Sequence, residues 1–142
     1  IDKSIGKTIS IYNKLVLKLY ERFLDNPLLD GFLGLSYLWQ GKVSQALPLL
    51  QNGSEHVPYF IPEYTQALWN CGERPHAIYV LQKAIIKMPD ESQLYRQLLG
   101  YIVDDKQGDY ALEILQTIIL LEPDALDLDE LYQKVYALLK PH

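Results

Sequence analysis

The sequence predicts an all-α solenoid built from helix–turn–helix repeats, and three observations carry that prediction. Prolines fall at Pro27, Pro58, Pro89 and Pro123, spaced by 31, 31 and 34 residues, and a fixed period of this length marks a repeat array. The Gly–Ala pairs keep the same beat. Gly41 and Ala46 precede Pro58 at the offsets by which Gly72 and Ala77 precede Pro89, while Ala111 and Leu115 follow Ala77 and Leu81 by 34 residues. Within the units the apolar spacing is helical: Ala77, Val80/Leu81, Ala84/Ile85 and Met88 form one stripe, and Ala111, Ile114/Leu115 and Ile118/Ile119 another.

The elements follow in order. Residues 1–26 read as an N-terminal half-repeat helix, with Ile9, Tyr12, Leu15/Val16, Leu19 and Phe23 on one side and Lys14, Lys18 and Arg22 elsewhere. Residues 27–58, 59–91 and 92–124 read as three helical hairpins, broken at "QGKVS", "CGERP" and "KQGDY". Glycine suits such breaks because it accepts the positive φ that ends a helix. Pro75 can begin a helix, where its missing N–H costs nothing. Pro48 falls inside the second helix of the first hairpin and predicts a short or bent helix, followed by the loop "NGSEHVP". Residues 125–142 read as a capping helix with Leu128, Leu131, Val135 and Leu138/Leu139 on one face, Asp127 as N-cap and Glu130 as its capping-box partner.

The run Leu33-Gly34-x2-Tyr37, then Ala46-x3-Leu50, then Pro58 resembles the tetratricopeptide repeat (TPR) family. Asp30 stands in place of the first aromatic residue and Leu50 in place of the phenylalanine. The second unit keeps Gly72, Ala77, Leu81, Ala84 and Pro89 but has Thr65 at the small position. The third keeps Tyr95, Leu98, Ala111, Leu115 and Pro123, with Gly100 one residue out of register. The resemblance implies about three repeats and a right-handed superhelical solenoid whose first helices line a concave groove. It places Phe32, Leu35 and Trp39 at that groove from the first repeat, Tyr59, Glu63, Gln66, Trp69 and Asn70 from the second, and Arg96 and Tyr101 from the third. Trp39 and Trp69 fall at nearly equivalent places and would anchor a partner; the plainer reading is that both rings fill gaps between helices. Relatives that grip a chaperone's C-terminal carboxylate do so with Lys, Asn and Arg. The matching positions here hold Gly31, Leu35, Glu63, Gln93 and Gln97, so an apolar or aromatic-anchored segment is the expected occupant.

The remaining chemistry narrows the function classes. A net charge of −5 and a pI near 5.1 argue against nucleic acid, whose phosphates need a basic face. The charge is uneven: residues 1–26 carry five Lys/Arg against three Asp/Glu, and residues 88–142 carry four against eleven. Cys71 is the single cysteine, which rules out an internal disulfide and a thiolate zinc site and is expected to be a structural thiol. His56, His76 and His142 are scattered, "DALDLDE" lacks the glycine and distal glutamate of a calcium loop, and "NGS" at 52–54 is a weak glycosylation signal. No phosphate loop, dinucleotide fingerprint or nucleophile elbow occurs, so neither catalysis nor a cofactor or metal is expected. No apolar run reaches the ~18–20 residues of a membrane span. The lone cysteine leans towards a cytoplasmic location, although a start at Ile1 fits an excised or processed chain and leaves a periplasmic or secreted one open. The expected function is a non-catalytic module that binds a protein or peptide partner, as an adaptor or in the manner of a bacterial secretion chaperone. The alternative is a scaffold fragment that stacks or self-associates through its ends, such as Ile118–Leu121.

Overall fold

A computed structural model of the chain describes residues 3–23 and 26–140. Within them lie eight α-helices: α1 (Lys3–Arg22), α2 (Pro27–Trp39), α3 (Val43–His56), α4 (Ile61–Asn70), α5 (Arg74–Lys87), α6 (Ser92–Asp104), α7 (Gly108–Leu121) and α8 (Leu128–Leu139), with one 3₁₀ turn, Pro58–Phe60, leading into α4. No strand occurs among the described residues. The chain divides into two compact units, Ile1–Ala77 and Ile78–His142, with the boundary inside α5.

One turn chemistry is used three times. After α2, Gly41 N–H donates to the Leu38 carbonyl and Lys42 N–H to Tyr37; after α4, Gly72 donates to Trp69 and Glu73 to Leu68; after α6, Lys106 donates to Val103 and Gln107 to Ile102. This paired pattern is the Schellman motif, and it needs a left-handed residue just past the helix. Gly41 (φ 78°) and Gly72 (φ 87°) supply it in the first two turns, as their spacing predicts. The third turn departs from expectation. Lys106 (φ 59°) takes the left-handed position, and the glycine of "KQGDY", Gly108, opens α7 instead.

In the first unit, asparagine and proline start α2 together: the Asn26 side chain accepts from the Leu28 N–H at 2.9 Å while Pro27 occupies the first turn. Helices α2 and α3 then approach closely because glycines meet where they cross. A Cβ on Gly34 would stand 2.8 Å from Leu50 Cγ, one on Gly53 2.7 Å from the Gly31 Cα, and one on Gly31 2.2 Å from the Phe60 ring. Gly34 is the close-packing glycine its motif predicts. The fully buried Thr65 takes the corresponding place in α4, its hydroxyl donating to the Ile61 carbonyl at 2.8 Å. Ala46, Leu50, Phe60 and Leu68 complete this core.

In the second unit, Leu94, Leu98, Leu99 and Ile102 of α6 and Ala111, Ile114, Leu115 and Ile118 of α7 are buried, with Val135 of α8. Gly100 is solvent-exposed with open space at its Cβ position, so it is no packing glycine.

Three local expectations are corrected. Helix α3 is not cut short by Pro48: it runs on to His56, straight through the residues expected to loop. Pro48 and Ser44, to whose carbonyl Pro48 has no N–H to donate, both face solvent, while Ala46, Leu50 and Gly53 hold the opposite face in the core. The capping box at α8 does not form. Asp127 makes no side-chain cap bond because its carboxylate pairs with Arg96, and Glu130 instead meets Lys134 at 3.3 Å. Helix α1 buries less than its pattern suggests: Val16 is in the core, but Leu15, Leu19 and Phe23 stay exposed.

Candidate functional site

Three elements of the first unit bring aromatic rings into one lane. Phe32 and Trp39 lie seven residues, two helical turns, apart on α2. Tyr12 reaches between them from α1, its ring centroid 5.0 Å from Trp39 and 6.3 Å from Phe32. Its hydroxyl donates to the Phe32 carbonyl at 3.3 Å. Tyr59, on the 3₁₀ turn, extends the lane with its centroid 6.2 Å from Phe32, and the buried Phe60 supports both rings edge-on at 5.2 and 5.1 Å. Such separations are those of favourable aromatic pairs. The two ends of the lane face solvent, Trp39 at 50% and Tyr59 at 67% exposure. Burial, and secondarily the neighbouring Tyr59, pushes the Tyr12 phenol up to about 12, so it is neutral and a hydrogen-bond donor at physiological pH.

A polar row continues from the lane. Tyr59, Glu63, Gln66 and Asn70 recur along one side of the turn and α4 and all are exposed. Gln66 Nε2 donates to Asn70 Oδ1 at 3.0 Å. The first unit therefore gathers Phe32, Trp39, Tyr59, Glu63, Gln66 and Asn70 of the predicted groove residues, and adds Tyr12, which sequence reasoning had assigned only to a helix face. No local signal marks Tyr12, because its partners lie 20 and 27 positions away.

Three other predicted groove residues are buried. Leu35 and Trp69 belong to the core of the first unit and Tyr101 to that of the second. The turn hydrogen bonds set the register: Leu38, Trp69 and Val103 provide equivalent carbonyls. Trp69 thus matches Leu38, and the residue matching Trp39 is Asn70. Trp69 is buried, with the Arg74 guanidinium 4.5 Å above its ring. Arg96, in the second unit, is committed to carboxylates: Nε meets Glu122 at 3.0 Å and Nη1 meets Asp127. The Ser92 hydroxyl and the Arg96 guanidinium hold Glu122 below the usual carboxylate range, and Arg96 does the same for Asp127.

Other residues singled out in the sequence have structural roles or none. Asn52 of the "NGS" sequon is half-buried within α3, donating to the buried Asp30. Cys71 is exposed just past α4. His56 is exposed at the end of α3, His76 meets Tyr64 edge-on at 6.2 Å, and His142 lies outside the described residues. Among the described residues, no group of three or more His, Cys, Asp or Glu is arranged to hold a metal, and no helix is long and apolar enough to cross a membrane.

No protein-family model matches the sequence, and no curated protein matches it. Solved structures do match in fold. The TPR2B domain of yeast Sti1, in its pHsp70 complex, is 21% identical with a TM-score of 0.61, covering 73% of this chain and 90% of that one. The first TPR of Spaghetti (RPAP3), bound to the HSP90 peptide SRMEEVD, is 19% identical with a TM-score of 0.64 over 80% and 96% of the two chains. A MamA RS-1 double mutant is 15% identical with a TM-score of 0.68 over 92% and 85%. The chain has the tetratricopeptide-repeat fold, an all-α helical-repeat solenoid.

Proposed function

We propose that the chain is a non-catalytic protein-interaction module that holds a partner's peptide or helix along the Trp39–Tyr12–Phe32–Tyr59 lane. The observation that carries this reading is the exposure of Trp39 and Tyr59 at the ends of a lane whose middle is fixed by packing. Large rings held rigid before binding lose little conformational freedom on contact, and aromatic residues dominate interface hot spots. Two of the solved structures similar in fold are complexes, one with pHsp70 and one with the HSP90 peptide SRMEEVD. A basic clamp for such tails has no counterpart here: Gly31 is packed against Phe60, Leu35 is buried and Glu63 is acidic. The lane suits an apolar or aromatic segment, in an adaptor or in a chaperone that shields export substrates.

The test is selection of peptides from a random library on the intact chain, followed by titration of the best binder against variants. Trp39→Ala and Tyr59→Ala should each weaken binding by about tenfold or more, while Tyr79→Ala, an exposed tyrosine on α5, should not. Unchanged affinity in a folded Trp39→Ala/Tyr59→Ala double variant would refute the reading.

A further inference from the structure

Helix α1 has a second apolar surface that the lane does not use. Ile11 and Leu15 are 60% and 57% exposed, and with Leu17 and the side chains of Lys14, Lys18 and Glu21 they line a shallow hollow of about 460 Å³. The helix carries five Lys/Arg and a single acid, Glu21. An exposed patch that joins apolar side chains to a row of cations is the footprint of an interaction site.

The opposite end of the sequence carries the complement. Asp129, Tyr132 and Tyr136 recur at i, i+3 and i+7 on α8, so they share a face. The tyrosine rings are stacked at 5.8 Å and 18°, and both are nearly half-exposed. Val135 is turned into the core, so this row lies beside the buried face. Across residues 88–142 acids outnumber bases eleven to four.

We propose that the chain binds a second copy of itself head to tail, the Asp129–Tyr132–Tyr136 row of one copy seating on the Ile11–Leu15 stripe of the next. Charge complementarity selects this occupant. The hollow holds one acid, Glu21, against Lys14 and Lys18, so two α1 faces would meet with an excess of cations, and two α8 rows would bring Asp129 against Asp129, whereas α8 on α1 pairs Asp129 with Lys14 and Lys18 and lays tyrosine rings on leucine and isoleucine. The contact uses different surfaces on the two copies, so it closes into a ring, a reciprocal pair included, or continues as an open chain. It shares no residue with the aromatic lane.

Sedimentation of the intact chain across a concentration series tests this. Average mass should rise with concentration above that of the monomer, and should fall between about 0.1 M and about 1 M salt, where the screening length drops from roughly 10 Å to roughly 3 Å. Lys14→Glu/Lys18→Glu and, separately, Asp129→Lys should each weaken association by about tenfold or more. An equimolar mixture of the two should restore it, since each variant then finds an oppositely charged face. All these positions are at the surface, and circular dichroism checks that helix content is kept. A monomer at every concentration would overturn the proposal. So would association that survives charge reversal and gains nothing on mixing. Trp39→Ala/Tyr59→Ala should assemble like the parent chain, which separates this result from the fate of the lane.

Discussion

Gly31 and Gly53 face each other where α2 crosses α3, so close that a methyl group on Gly53 would stand 2.7 Å from the Gly31 Cα. Alanine gains about 1 kcal/mol over glycine inside a helix, but forcing atoms into a filled contact costs about 1–3 kcal/mol or more. At 2.2 Å from the Phe60 ring, the Cβ of Gly31→Ala sits at the costly end. Gly31→Ala and Gly53→Ala should each lose about 2 kcal/mol, read as a melting temperature lower by roughly 5 °C or more. Gly100→Ala, with open space around its Cβ, should instead gain about 0.5–1 kcal/mol.

The third Schellman turn sets a side chain where the first two have none. A left-handed backbone costs an L-residue about 1–2 kcal/mol, partly offset by the entropy glycine loses on folding. Lys106→Gly should therefore raise stability by about 0.5–1 kcal/mol in a denaturant titration, and Lys106→Val should lower it.

Arg96 gives the second unit an acid-sensitive joint. Glu122 and Asp127 are both held below their usual carboxylate range, so their folded-state values lie under the unfolded ones. Their contribution is present above about pH 4 and is lost as pH falls through the depressed values. Arg96→Gln should lower the melting temperature near neutrality, and the difference from the parent should shrink on acidification.

Tyr12 predicts the opposite behaviour at alkaline pH. Its phenol is raised to about 12 from an ordinary 10, so its stabilising effect is complete below pH 10 and is lost as pH rises through about 12. Thermal melts followed by helix circular dichroism should show this loss in the parent chain. Tyr12→Phe should show a smaller one, with about 0.5–1 kcal/mol less stability at neutral pH from the missing hydrogen bond.

The turn glycines Gly41 and Gly72 were legible because a helix-ending turn is local, and the repeat period and the packing role of Gly34 because the repeating motif carries both. Gly31 was not. Its role arises from Phe60 and Gly53, on elements folded back against it, and nothing local distinguishes it from a groove residue. Asp127 shows the same limit, since "DALDLDE" reads as a helix cap until Arg96, 31 residues earlier, claims the carboxylate. The candidate lane was half legible. Phe32, Trp39 and Tyr59 came from register, but a one-residue phase error made Trp69 a twin of Trp39.

That inequality between the two tryptophans has a spectroscopic consequence. Trp39, half in solvent beside Tyr12, should emit to the red and be quenched by acrylamide; Trp69, shielded under Arg74, should emit further to the blue and resist quenching. The two single-tryptophan forms, Trp39→Phe and Trp69→Phe, would split these signals into separate channels. One channel would respond to a ligand arriving on the lane, and the other to loosening of the α4 core beneath it. The chain thus carries an internal means of telling occupancy from unfolding, with no dye attached.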